Sequence, residues 1–333
     1  MTRALQSNLS WRRVARTAGA LLAAALVGGC ALLNPLVPQT VALRTDWPQG
    51  VPERVELTGV PFFAQEDYQC GPAALGMALQ WTGQQVSLPQ LTDEVWLPSR
   101  KGSLQVEMLA APRRHGRVSY RLAPSYADLL REVAAGNPVI VLQDVGQMFT
   151  QWHYAVVNGF DYASGTLYLR SGTEPRRQMP FTAFERTWIK SGYWAMVVLP
   201  PDRVAATAVP QRWLESVIAM SRTAAPAASM RAYRAMLARW PDNVAAAIGL
   251  ANQLHGAGQL ADAEGVLRMA LTRDPRSVIL RNNLAQTLSD RGRHAEALEI
   301  LAPVSTEPDA PFADEVRATK QLIQERARPQ PHG

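Results

Sequence analysis

Residues 60–79 read VPFFAQEDYQCGPAALGMAL, and the fold turns on how this stretch is parsed. Gly71-Pro72 breaks the incoming chain, and proline is favoured in the first turn of a helix. The Ala, Leu and Met residues that follow are strong helix formers, so a helix is expected over residues 71–82. The residues before the break, Val60–Phe63, read as a short strand. Cys70 then stands at or just before a helix N-terminus, where the macrodipole and free N–H groups favour negative charge. A free thiol titrates near about 8.5, and such a position is expected to lower that value. A neighbouring imidazolium would lower it further. Acyl transfer also needs donors for an oxyanion. The backbone N–H of Cys70 and the side-chain amide of Gln65 are the candidates, with Gln69 the weaker substitute for Gln65.

A base must come from elsewhere in the chain. There are five histidines: His115, His153, His255, His294 and His332. His255 and His294 fall in a helical region, His332 lies in the tail, and His115 sits in a basic turn. His153 opens HYAVVNGFD (residues 153–161), a strand pattern with a polar head and an apolar body. It is the one histidine on an element suited to pack beside the Cys70 helix. The plainer reading of Cys70 is a small buried hydrophobe. The helix after it and the matching histidine strand argue against that.

Together, Gln65, Cys70-Gly-Pro-Ala-Ala-Leu and His153-Tyr-Ala-Val-Val-Asn-Gly-Phe-Asp resemble the papain-like peptidases that trim bacteriocin leaders after a double glycine. The resemblance spans about residues 55–200. It implies that Cys70 is the nucleophile, His153 the base and then the acid, and Gln65 part of the oxyanion hole. In that family the next strand ends in an aspartate that orients the imidazole. Here the aligned position is Ser171, whose hydroxyl accepts a ring N–H but stabilises an imidazolium less than a carboxylate does. Asn158 and Asp161 are possible stand-ins. Asp161 lies about 20 Å or more from His153 along a straight strand, which counts against it.

The expected fold is an α+β papain-like cysteine peptidase domain over residues 51–200, followed by an all-α tetratricopeptide-repeat domain over residues 210–327. Strands are expected at Val55–Leu57, Pro138–Leu142, His153–Phe160, Thr166–Arg170 and Tyr193–Leu199, and helices at Leu104–His115 and Tyr126–Ala135. Helices come early and most strands late, which favours α+β over a doubly wound sheet. The C-terminal part repeats itself at 34 residues. Trp240-Pro241 recurs as Asp274-Pro275, Leu250-Ala251 as Leu284-Ala285, and Gly258, Ala263 and Leu267 as Gly292, Ala297 and Leu301. That period with small and apolar landmarks resembles the tetratricopeptide repeat. Two repeats are clear, at about 244–277 and 278–311. A degenerate unit precedes them with Trp213 and Pro241 in register, and a final helix near Ala313–Arg326 caps the array.

Residues 1–29 read as an address. Arg3, Arg12, Arg13 and Arg16 precede the apolar run AGALLAAALVGG (18–29), which is too short to span a bilayer needing about 20 residues. The run ends at Leu26-Val-Gly-Gly-Cys30, which resembles the bacterial lipobox and implies cleavage before Cys30 and a lipid on its thiol. Ala31 after the cysteine leans toward the periplasmic face of the outer membrane. Residues 30–50 are expected to be a tether. The formal charge of +6 falls to +2 without the four leader arginines, and no basic run with interleaved aromatics remains, so nucleic acid is not an expected partner. No metal-spaced cluster, phosphate loop or dinucleotide fingerprint occurs, so no cofactor is expected. Expected partners are a peptide or protein substrate, a protein on the repeats, and the membrane through Cys30. The competing reading is a papain-like binding scaffold with a weak or lost activity, for which Ser171 is the sequence argument.

Overall fold

In the computed structural model, residues 37–64 and 69–328 are described. The expectations for residues 1–29, for Cys30 and for Gln65 lie outside these. An antiparallel sheet is built from β1 (Arg54–Glu56), β2 (Val118–Arg121), β3 (Val139–Asp144), β4 (Trp152–Asp161), β5 (Thr166–Ser171), β6 (Glu174–Pro180) and β7 (Ala195–Leu199). Their order is β2-β7-β3-β4-β5-β6, with β1 paired to the far end of β4. Both faces are covered, which is why Val139–Leu142 of β3 read as an unbroken apolar run. Ile140, Leu142, Tyr154, Val156, Met196 and Val198 share one core with the Cys70–Trp81 helix. Val139, Val141, Ala155, Val157, Ala195 and Val197 turn to the other face, against the helices Tyr126–Ala134 and Phe181–Trp188. This period-two alternation fixes the register, because a one-residue slip would exchange the two cores.

Val60–Phe63 is not a strand. The carbonyls of Thr58 and Val60 accept instead from the buried Arg170 guanidinium, at 3.0 and 3.2 Å, so a side chain takes the place of a neighbouring strand. The tether expected to residue 50 also ends earlier. Pro38–Thr45 is a helix packed onto the sheet unit. The carboxylate of Glu185, fully buried, accepts from the N–H groups of Gln39 and Thr40 at 3.0 and 2.6 Å and from the Tyr193 hydroxyl at 3.0 Å. A carboxylate on the first turn satisfies orphan N–H donors and favours the helix dipole. The helices Leu88–Val95 and Phe181–Trp188 and the strands β2 and β6 also join the elements that the sequence pattern suggested.

The remainder is helical: Pro210–Ser221, Pro226–Arg239, Val244–Gly256, Leu260–Arg273, Val278–Asp290, His294–Leu301 and Ala313–Ala327. Leu250, Ala251, Ala263, Leu267 and their counterparts 34 residues on, Leu284, Ala285, Ala297 and Leu301, are all buried. Gly258 and Gly292 recur because each ends a helix at a left-handed φ, +73° and +77°. The repeats do not stand apart from the sheet unit. Trp213 is fully buried with its ring centroid 5.4 Å from that of Tyr120 on β2, and one continuous core runs from the sheet into the last helix. Glu132, buried beneath the junction, accepts from the Thr207 N–H and hydroxyl at 2.7 and 2.6 Å. Among the described residues no helix is long and apolar enough to cross a membrane.

Candidate active site

Cys70 is the first residue of its helix, with Gln69 at the cap position and no side chain capping the N-terminus. The free N–H groups of the first turn therefore point toward the thiol's side of the helix. Gly71 admits no Cβ, because the Ser103 side chain lies where that atom would be. Close packing thus demands the glycine that the sequence pattern used as a strand breaker. The Cys70 helix lies across β4, and the backbone N–H of Tyr154, the residue after His153, acts on the sulfur. The Tyr154 hydroxyl donates to the Ser103 carbonyl at 3.2 Å, tying β4 to the segment that covers Gly71.

His153 stands near the start of β4 and Ser171 at the end of β5, so the antiparallel pairing brings them to one end of the sheet. The imidazole Nε2 is 2.9 Å from the Ser171 Oγ. Nδ1 has no hydrogen-bond partner among the described residues. The two alternative orienting groups are engaged elsewhere. Asn158 donates to the Leu57 carbonyl at 3.3 Å, and Asp161 accepts from the Ser164 N–H at 3.1 Å and pairs with Arg54 at 3.7 Å. Of the four predicted site residues, Cys70, His153 and Ser171 gather at one end of the sheet, and Gln65 lies outside the described residues.

The electrostatics differ from the expectation for a helix N-terminus. Burial pushes the Cys70 thiol up, and the opposing pull of the N–H groups of Tyr154, Gly71 and Cys70 is too small to reverse it. Burial also brings the His153 imidazole down to about 4, with the positive charge of Arg177 adding to the effect. Both groups are thus neutral at pH 7 in the unliganded protein. Among the described residues no carboxylate pairs with the imidazole. A neutral thiol and imidazole have the chemistry of a nucleophile and a general base, and first-turn N–H groups that of oxyanion donors. Tyr154, Ser103 and Arg177 were not legible as site residues. Their roles come from register and from cross-chain packing, which leave no motif. Among the described residues no cluster of three or more His, Cys, Asp or Glu side chains could hold a metal.

Residues 57–196 match the model of the Peptidase C39 like family, and residues 254–311 match the tetratricopeptide repeat. No curated protein matches the chain. Among solved structures, the chain is similar to a double glycine motif protease from an AMS/PCAT transporter in complex with the leader peptide. That match has 22% identity and a TM-score of 0.33, covering 42% of this chain and 91% of the other. A protein of Bacillus anthracis described as C39-like matches at 19% identity and a TM-score of 0.39, over 46% of this chain and 100% of its own. The peptidase domain of Streptococcus ComA, a bi-functional ABC transporter of a quorum sensing pathway, matches at 20% and 0.35, over 42% and 98%.

Proposed function

Because residues 57–196 carry a peptidase C39-like domain and tetratricopeptide repeats follow it, we propose that this chain is a cysteine peptidase of the bacterial cell envelope. Cys70 attacks a peptide carbonyl, His153 takes and returns the proton, and Ser171 orients the imidazole. Water then resolves the thioester and releases the new carboxylate. The observation that carries this reading is the 2.9 Å contact between His153 Nε2 and Ser171 Oγ, which fixes the ring, together with the N–H of the next residue, Tyr154, acting on the Cys70 sulfur. The lipobox-like segment at Cys30 anchors the protein, on the periplasmic face of the outer membrane. The repeats recruit the substrate or a partner. A cavity of about 250 Å³ between successive repeats, lined by Asn252, His255, Asn283 and Gln286, offers polar groups for that purpose.

The second reading is a catalytically weak scaffold. It is favoured by the raised thiol, the lowered imidazole and the hydroxyl in place of a carboxylate. Peptidyl electrophiles separate the two. A simple alkylating reagent reads only the raised thiol and should be slow at neutral pH. A peptidyl ketone that presents a carbonyl also recruits the base. In the peptidase reading it modifies Cys70 at neutral pH far faster than the simple reagent does, and His153→Ala abolishes the difference. Equal rates in the parent and in His153→Ala would leave the scaffold.

A further inference from the structure

Five large apolar side chains stand in solvent at the end of the sheet that holds His153. Met148 is 88% exposed and Phe149 84%, at the tip of the loop joining β3 to β4, and Trp152 at its foot is 51% exposed. Leu104 and Val106 are 45% and 62% exposed at the start of the Gln105–Arg114 helix. That second segment is held at the same end of the sheet by the Tyr154 hydroxyl on the Ser103 carbonyl.

The loop is not loosely attached. Asp144 Oδ1 accepts from the N–H groups of Gly146 and Gln151 at 3.0 and 2.9 Å, and the Val145 N–H donates to the Gln151 carbonyl at 2.9 Å. Lys190 pairs with the other oxygen of Asp144 at 3.2 Å. Gly146 leaves no space for a Cβ beneath the Phe149 carbonyl. The fold thus holds a braced root under a tip with almost no neighbours. Side chains that line a binding groove are partly covered by its walls. A prong with two nearly bare side chains fits a medium that can close around both, and hydrocarbon does so without a matching pocket. Arg100 is exposed beside the second segment, and tryptophan favours the level of the headgroups. Apolar tips beside a basic side chain suit an anionic interface.

We propose that the His153 end of this domain docks onto an anionic lipid surface with Met148 and Phe149 inserted among the acyl chains. The Cys70 site then opens at the membrane, where it meets peptide segments lying at or emerging from the bilayer. The docking is independent of catalysis, and it adds a second contact to any lipid at Cys30.

The test uses the full chain carrying Cys70→Ala with Phe149→Cys, labelled with a polarity-sensitive fluorophore and mixed with phosphatidylglycerol vesicles. The Cys70→Ala parent, treated alike, supplies the background. A matched label at Ile218→Cys, on the Pro210–Ser221 helix, is the control. Docking predicts a blue shift at position 149 that nitroxide-bearing lipids quench, that weakens with salt, and that is absent at position 218. Protein that pellets with vesicles while the label at 149 keeps its aqueous emission would overturn the docking and leave the anchor intact. A shift produced by apolar peptide without vesicles, and not by vesicles, would overturn it in favour of a substrate contact.

Discussion

His153 is part-buried and held as a neutral ring, and that has a cost that depends on pH. Its folded value of about 4 lies below the ordinary value of 6.5, so between these limits the unfolded chain binds more protons than the folded one. Stability is therefore full above about pH 6.5 and falls as the pH drops toward 4, by about 3 kcal/mol from this group. Urea midpoints measured between pH 7 and 4 should show this acid limb, and His153→Gln should flatten it. Ser171 sets the other half of the site's chemistry. Ser171→Asp places a carboxylate on Nε2, lifts the His153 pKa and favours the thiolate–imidazolium pair. In the peptidase reading it should raise the Cys70 reaction with peptidyl electrophiles by about tenfold or more, while Ser171→Ala lowers it. The ring titration followed by NMR gives an independent check on the direction.

Within single elements, backbone donors and buried carboxylates fix what the hydrophobic pattern leaves open. Glu185 binds the start of the Pro38–Thr45 helix and turns a proline-bearing stretch into part of the domain. Glu264, on the Leu260–Arg273 helix and nearly buried, is held by Arg268 at 2.6 Å, by Arg293 at 2.9 Å and by Arg291. Arg291 and Arg293 lie in the following repeat, so this carboxylate locks the register between neighbours. Glu264→Gln removes one of the two carboxylates that the part-exposed Arg268 and Arg293 share, Glu296 being the other, and should cost about 1 kcal/mol, read as a lower urea midpoint. The repeat elements were legible because their signals are local: a left-handed glycine, small residues at close helix contacts, and a proline after each pair. Val60–Phe63 was misread for the converse reason. Its β-like composition was real, but the partner of its carbonyls is Arg170, far away in sequence.

Across the whole molecule, the two regions that the sequence separates share one core. Trp213 occupies the aromatic landmark of the degenerate repeat and packs against Tyr120 of the sheet unit. Trp213→Ala should cost about 3–5 kcal/mol. It should also split a single thermal transition into two in calorimetry, with the helices melting first. A single transition shifted as one would mean that the remaining contacts, among them Glu132 with Thr207, suffice for coupling. The sequence by itself determined the helix beside Cys70, the histidine strand and the 34-residue period. Each is a short-range pattern of residue types, and short-range patterns carry secondary structure and motif chemistry. Tertiary structure alone decided that thiol and imidazole are both neutral, because burial is a property of everything packed around a group. It alone decided that Tyr154 meets the sulfur and that the first repeat closes the sheet's core. Those facts depend on contacts between residues far apart in the chain, which no local pattern encodes.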